Sequence, residues 1–222
     1  MRRRLLAQFH RPTGILGAVA GFVMSHRASN VARNRWTVEL LEVAPTDRVL
    51  ELGCGPGIAL ETAAARLREG RVTGLDHSPT VLRQARRRNA GAIRAGRVEL
   101  VHASYLELVE PGPLPGPFDA IYAVNSLQFA DTPEALLRAL RDRLRPGGTL
   151  AITVQSRKKG ATDADSRSAG EAVAKKLEAA GLREIRVDLL PLEPVCAVCV
   201  RGVRALTDAI RANGKTPGLA GA

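Results

Sequence analysis

Three glycines on alternate positions, Gly53, Gly55 and Gly57, close the apolar stretch Val49-Leu50-Glu51-Leu52, whose one acid is Glu51. Glycine accepts positive φ and has no Cβ, so the backbone can turn sharply and a ligand can come against it. The segment reads as a strand-to-helix elbow that holds a nucleotide-like cofactor. The dinucleotide spacing G-x-G-x-x-G is not met, because the third glycine stands one position early and Ile58-Ala59-Leu60 already begin a helix. Glu51 would crowd a pyrophosphate and suits a cationic ligand. Asp76 follows Gly53 by 23 residues, near the roughly 20-residue offset of a ribose-binding acid. A plain tight turn is the alternative, and Glu51 with Asp76 argues against it.

These residues need a scaffold, and the chain alternates strand and helix patterns in the way of a parallel sheet covered on both faces. Strands are expected at Arg48 to Leu52, Arg71 to Leu75, Val98 to His102, Phe118 to Val124 and Thr149 to Gln155. Helices are expected over Asn30 to Val43, about Gly57 to Arg68, Pro79 to about Asn89, Pro133 to about Leu144 and about Asp165 to Ala180. Ser78-Pro79 supplies an N-cap and a first-turn proline, and Arg145-Pro146-Gly147-Gly148 reads as a turn. The last strands, Arg183 to Leu190 and Val195 to Arg201, are joined by only four residues, Pro191-Leu192-Glu193-Pro194. So short a link excludes a crossover and makes the pair an antiparallel hairpin.

The segment VLELGCGPG with Leu75-Asp76 after the next strand resembles the cofactor loop of the class I S-adenosylmethionine-dependent methyltransferases. The resemblance covers roughly Val31 to Arg201 and implies an α/β fold: a Rossmann-like, seven-stranded, mostly parallel sheet with an antiparallel last strand and helices on both faces. It implies S-adenosyl-L-methionine as cofactor and S-adenosyl-L-homocysteine as product. In that family Glu51, Gly53, Gly55 and Gly57 would form the loop against the methionine part, Asp76 would bond the ribose hydroxyls, and His77 would lie beside the adenine. Where the family usually shows Gly-Asp-Ala this chain has Ala103-Ser104-Tyr105, so Ser104 and the Tyr105 backbone N–H would meet the adenine. Asn125, Ser126, Gln128 and Phe129 would face the methyl group and the acceptor. The Asn-Pro-Pro-Tyr and Pro-Cys motifs and the magnesium-holding acids of other branches are missing from this stretch, and a metal-free site is expected.

A net charge of +11 with only seven aromatics (one Trp, two Tyr, four Phe) lacks the stacking residues of a nucleic-acid surface. The arginines, Arg83 and Arg86 to Arg88 among them, read as a solvated face. Three cysteines make no disulfide framework, and Cys196 and Cys199, at i and i+3 of a strand, point to opposite faces. The apolar run Gly14 to Met24 is about half the ~20 residues a membrane span needs. A cytoplasmic enzyme is expected.

Residues 1–30 are expected to be a lid and acceptor segment, 31–202 the methyltransferase domain and 203–222 a partly flexible extension. In the lid, Arg27 or Asn34 would meet the methionine carboxylate and His26 is the candidate base. The expected reaction is metal-free, in-line methyl transfer to a small-molecule acceptor. The alternatives are a lipid head-group methyltransferase, with Arg2 to Arg4 and Ile15 to Met24 as an interfacial anchor, and a cofactor-binding protein without catalysis.

Overall fold

The computed structural model describes residues 28–109, 114 and 116–206. The proposed lid up to residue 27, with His26 and Arg27, lies outside the described residues, as does the extension beyond 206. Strands β1 (Arg48–Leu52), β2 (Arg71–Asp76), β3 (Val98–His102), β4 (Phe118–Val124), β5 (Leu144–Val154), β6 (Arg183–Leu190) and β7 (Ala197–Val203) form one sheet. Its order is β3-β2-β1-β4-β5-β7-β6. Pairings are parallel through β5, and β7 runs antiparallel between β5 and β6. The order reverses between β1 and β4, and open α/β sheets bind ligands beyond the strand C-termini at such a switch point.

Period-two alternation feeds two cores. Leu50, Leu52, Ile121, Leu150 and Ile152 face α6 (Pro133–Arg143) and α7 (Asp163–Ala179), which contribute Leu136, Leu137, Leu140 and Leu177. Val49, Val72, Ala120, Tyr122 and Ala151 face the other way, against Val38 of α1 (Ala28–Leu40) and Ala59, Leu60 and Ala63 of α2 (Ile58–Arg66). Each fully buried leucine contributes about 1.5–3 kcal/mol relative to exposure. The two cysteines near the hairpin fall in opposite cores, Cys196 in the first and Cys199 in the second.

Several boundaries differ from the sequence reading, each for a local reason. Residues Arg145-Pro146-Gly147-Gly148 belong to β5 rather than to a turn, because the Gly147 N–H donates to the Arg204 carbonyl at 2.8 Å and the Arg204 N–H returns to Gly148 at 2.9 Å. β7 begins at Ala197, not Val195. The Val195 carbonyl accepts from Gln155 Nε2 at 2.7 Å and the Cys196 N–H donates to Asp163 at 2.6 Å, so both are drawn out of the ladder. A short helix α4 (Ala90–Arg94) follows α3 (Pro79–Arg88), and Ser104 with Glu107 opens α5 (Leu106–Val109). Ser78 sits at the N-cap of α3 without a side-chain capping bond.

The arginines are less uniformly solvated than expected. Arg83 and Arg86 to Arg88 are exposed, but Arg97, Arg141 and Arg204 bond the Ala64, Ala180 and Asp142 carbonyls at helix C-termini, where a cation meets the negative end of the dipole. Among the described residues no helix is long and apolar enough to cross a membrane.

Gly170 of α7 offers a test of this packing. A Cβ there would run into Val198 Cγ1 on β7. Alanine is favoured over glycine by about 1 kcal/mol in a helix, whereas overpacking costs about 1–3 kcal/mol. Gly170→Ala is therefore expected to lower the urea midpoint, and a raised midpoint would show that the helix moves away freely.

Candidate active site

At the C-terminal ends of β1, β2, β4 and β5 a cavity of about 650 Å³ opens, within the ~300–1,000 Å³ range of small-molecule sites. Its floor is the loop after β1. Gly53 and Gly55 hold φ of +64° and +53°, where a side chain is strained. Their surroundings differ. A Cβ on Gly53 would lie 2.5 Å from the Tyr105 hydroxyl and 2.6 Å from Ser126 Cβ, whereas one on Gly55 would meet nothing within 4 Å. Gly53 is thus required by packing, and Gly55 leaves open space along the cavity wall.

The loop is fastened to β2. The Cys54 N–H donates to the Leu75 carbonyl at 3.0 Å, the Gly55 N–H to Asp76 Oδ2 at 2.9 Å, and the Ser78 N–H to Asp76 Oδ1 at 2.9 Å. Each Asp76 oxygen keeps acceptor capacity, and the side chain lines the cavity. Burial raises the Asp76 pKa, opposed by those two N–H groups and by His77 and His102. His77 is partly exposed, its Nδ1 3.7 Å from Asp76 Oδ1, and its carbonyl pairs with the His102 ring at 3.0 Å.

Glu51 does not line the cavity, which corrects the expectation that it faces a cationic ligand. Leu50 and Leu52 occupy one face of β1, so Glu51 points to the other, beneath α2. It accepts a hydrogen bond from Tyr122 Oη at 3.1 Å and one from the Leu60 N–H, near the start of α2. Burial pushes its carboxyl up to about 8, the Tyr122 bond opposing. Burial, then Glu51, raises the Tyr122 phenol in turn.

The far wall comes from the residues after β4 and β5. Asn125 adopts φ of +50°, a conformation asparagine tolerates, and spends its amide on Gln155: Nδ2 donates to the Gln155 carbonyl at 3.2 Å and Oδ1 accepts its N–H at 2.7 Å. It lines the cavity as a clasp between strands rather than as a free polar group. Ser126 Oγ donates to the Leu52 carbonyl at 2.7 Å and pairs with the Tyr105 hydroxyl. Gln128 and Phe129, on the 3-10 turn Leu127–Phe129, are exposed at the mouth. Ser104 lines the adjoining wall with its hydroxyl donated to Glu107 at 2.8 Å. Among the described residues no group of three or more His, Cys, Asp and Glu could hold a metal ion.

Helix α1 closes the cavity from above. Asn34 is buried in the lining, its Nδ2 on the Asn30 carbonyl at 2.7 Å. Sequence reasoning passed over Arg33, which is only 3% exposed and also lines the cavity. Its Nη1 donates to Gln155 Oε1 and its Nη2 to Asn30 Oδ1. Burial first and Arg157 second pull its guanidinium down to about 10, still cationic at neutral pH. Thr37, one turn on, shares a 2.7 Å bond with Thr153 of β5. Positions 30, 33, 34 and 37 form a polar stripe at helical period on a buried face, and that stripe was the available signal.

A glycine loop at the switch point, clasped to an acid at the end of the neighbouring strand, defines an open α/β protein of the nucleotide-cofactor class. Comparison with known proteins agrees. The family described as "Methyltransferase domain" matches residues 50–150. The uncharacterized methyltransferase YdaC of Bacillus subtilis is 29% identical over 190 residues, covering 85% of this chain and 99% of that protein. The trans-aconitate 2-methyltransferase of Delftia acidovorans is 32% identical over 72% of this chain and 58% of its own length. The chain thus spans about half the length of the trans-aconitate methyltransferases it matches. Among solved structures, the N-methyltransferase NodS of Bradyrhizobium japonicum superposes with a TM-score of 0.63 at 19% identity, over 81% of this chain and 89% of that one. A methyltransferase of Aquifex aeolicus gives 0.61 at 21% identity, over 78% and 89%. These matches support a class I S-adenosylmethionine-dependent methyltransferase.

Proposed function

We propose that this chain is a cytoplasmic enzyme that transfers a methyl group from S-adenosyl-L-methionine to a small-molecule acceptor. The observation that carries the reading is the clasp between Asp76 and the glycine loop, which leaves carboxylate acceptors beside open space at Gly55. The residues present fit the cofactor: Gly53 and Gly55 hold the loop, Asp76 takes the ribose hydroxyls, and His77, Ser104 and the Tyr105 backbone flank the adenine. When bound, the cofactor supplies an electrophilic methyl group on a sulfonium. The chain's own part is alignment and exclusion of water. Val109, Phe129 and Ala130 make an apolar rim for this, and Ser126, Gln128 and Phe129 meet the acceptor. That NodS was solved with S-adenosyl-L-homocysteine supports the cofactor, and the trans-aconitate relatives support a small acceptor. The same reading keeps 1–30 as lid, with His26 as base and Arg27 and Asn34 toward the methionine, 31–202 as the domain and 203–222 as extension.

Calorimetry and thermal shift test this. S-adenosyl-L-homocysteine is expected to bind and raise the melting temperature, and NAD is not. Asp76→Asn places an amide donor against the N–H of either Gly55 or Ser78 and removes the charge, so affinity should fall at least about tenfold. Binding of NAD alone, or an unchanged affinity in Asp76→Asn, would overturn the reading.

A further inference from the structure

Arg33 is a buried cation whose described partners are all neutral. Two nitrogens donate to the amide oxygens of Gln155 and Asn30, and Nε has no hydrogen-bond partner among the described residues. No described carboxylate lies within ion-pair distance of it. A charge taken out of water without a counter-ion is unfavourable, and here it is placed on the wall of a cavity. The exposed Arg157 on the same lining adds positive charge nearby. Gln155 holds the guanidinium in place, since its own Nε2 is fixed to the Val195 carbonyl at 2.7 Å. A planar guanidinium fixed in this way suits a carboxylate.

Position decides which carboxylate. Gln155 follows β5, and β5 stands two strands from β1 in the sheet, roughly 10 Å away at ~4.8 Å per strand. With Asp76 after β2 assigned to the cofactor's nucleoside, and the loop after β1 and Asn34 to its methionine end, Arg33 stands beyond the methionine end, on the side of the cavity left for the acceptor. We infer that Arg33, with Arg157 beside it, binds a carboxylate group of the methyl acceptor, so that the enzyme takes a small organic acid. This rests on the cofactor placement proposed above.

The test uses the full chain saturated with S-adenosyl-L-homocysteine, with tricarballylate and succinate as probes and succinamide as the neutral control. Tricarballylate or succinate is expected to bind by calorimetry and to shift the Arg33 Nε–H resonance in ¹⁵N spectra, whereas succinamide does neither. Arg33→Met should weaken the acid at least about tenfold, Arg33→Lys should recover part of that, and S-adenosyl-L-homocysteine affinity should change less than about threefold. A comparable loss of S-adenosyl-L-homocysteine affinity in Arg33→Met would assign Arg33 to the cofactor's own carboxylate and overturn the inference. Equal binding of acid and amide, binding of neither acid, or an unmoved Arg33 resonance would also overturn it, and the wild-type resonance stands even if Arg33→Met fails to fold. If the wild type does not bind S-adenosyl-L-homocysteine, the functional reading fails first and takes this inference with it.

Discussion

Gly55→Asn is expected to abolish S-adenosyl-L-homocysteine binding, by roughly 100-fold or about 2.7 kcal/mol, while melting close to the wild type. Gly53→Asn, the same change two residues earlier, should instead lose the fold's stability. Asparagine is chosen because it tolerates the left-handed backbone that both positions adopt, so strain is nearly matched and the surroundings decide. Around Gly55 an added Cβ meets no protein atom within 4 Å and the side chain enters the space assigned to the cofactor. Around Gly53 it meets the Tyr105 hydroxyl at 2.5 Å and Ser126 Cβ at 2.6 Å, and overpacking of this kind costs about 1–3 kcal/mol. Urea melts and calorimetry on both variants separate the effects. If Gly55→Asn binds the product as tightly as the wild type, the cofactor does not lie against this loop.

The second large effect concerns Glu51 and pH. Its carboxyl sits near 8 in the folded chain against 4.5 as the ordinary value. The folded state therefore holds a proton that the unfolded state has released between those limits, and stability falls as pH rises through that window. Above about pH 8 the penalty is complete, on the order of 5 kcal/mol for a shift of this size. Glu51→Gln cannot ionise, and its carbonyl can still accept from Tyr122 or from the Leu60 N–H. The variant's melting temperature relative to wild type should thus climb from pH 5 to about pH 8 and level off above it. Parallel curves for the two proteins would show that Glu51 titrates normally.

What could be read in advance divides along a physical line. β1, β3, β4 and β6 were placed to the residue because alternation and turn residues are local. The reversed β7 followed from a short link, also a local quantity. Arg33 was missed because its role depends on Gln155, 122 residues away. Glu51 was misdirected for a related reason: a strand's two faces look alike until the covering helix is known, and only the position of α2 shows which face meets the ligand. Asn125 was placed on the wall, but that both ends of its amide would be taken by the backbone of one distant residue left no trace in composition or spacing.

The connection between β6 and β7 has a reach beyond the sheet edge. The Val195 carbonyl anchors Gln155 Nε2, and Gln155 Oε1 anchors Arg33. A surface hairpin link is thereby wired through two side chains to the Arg33 side of the cavity, while the loop at Gly53 to Gly57 and its clasp on Asp76 share none of those bonds. The architecture is modular in consequence: lengthening or shortening the stretch from Pro191 to Cys196 would re-aim one wall of the cavity and leave the opposite wall as it is. Under the assignments proposed above, acceptor selectivity and cofactor capture would therefore drift apart in this scaffold, one through an edge loop and the other through the sheet's centre.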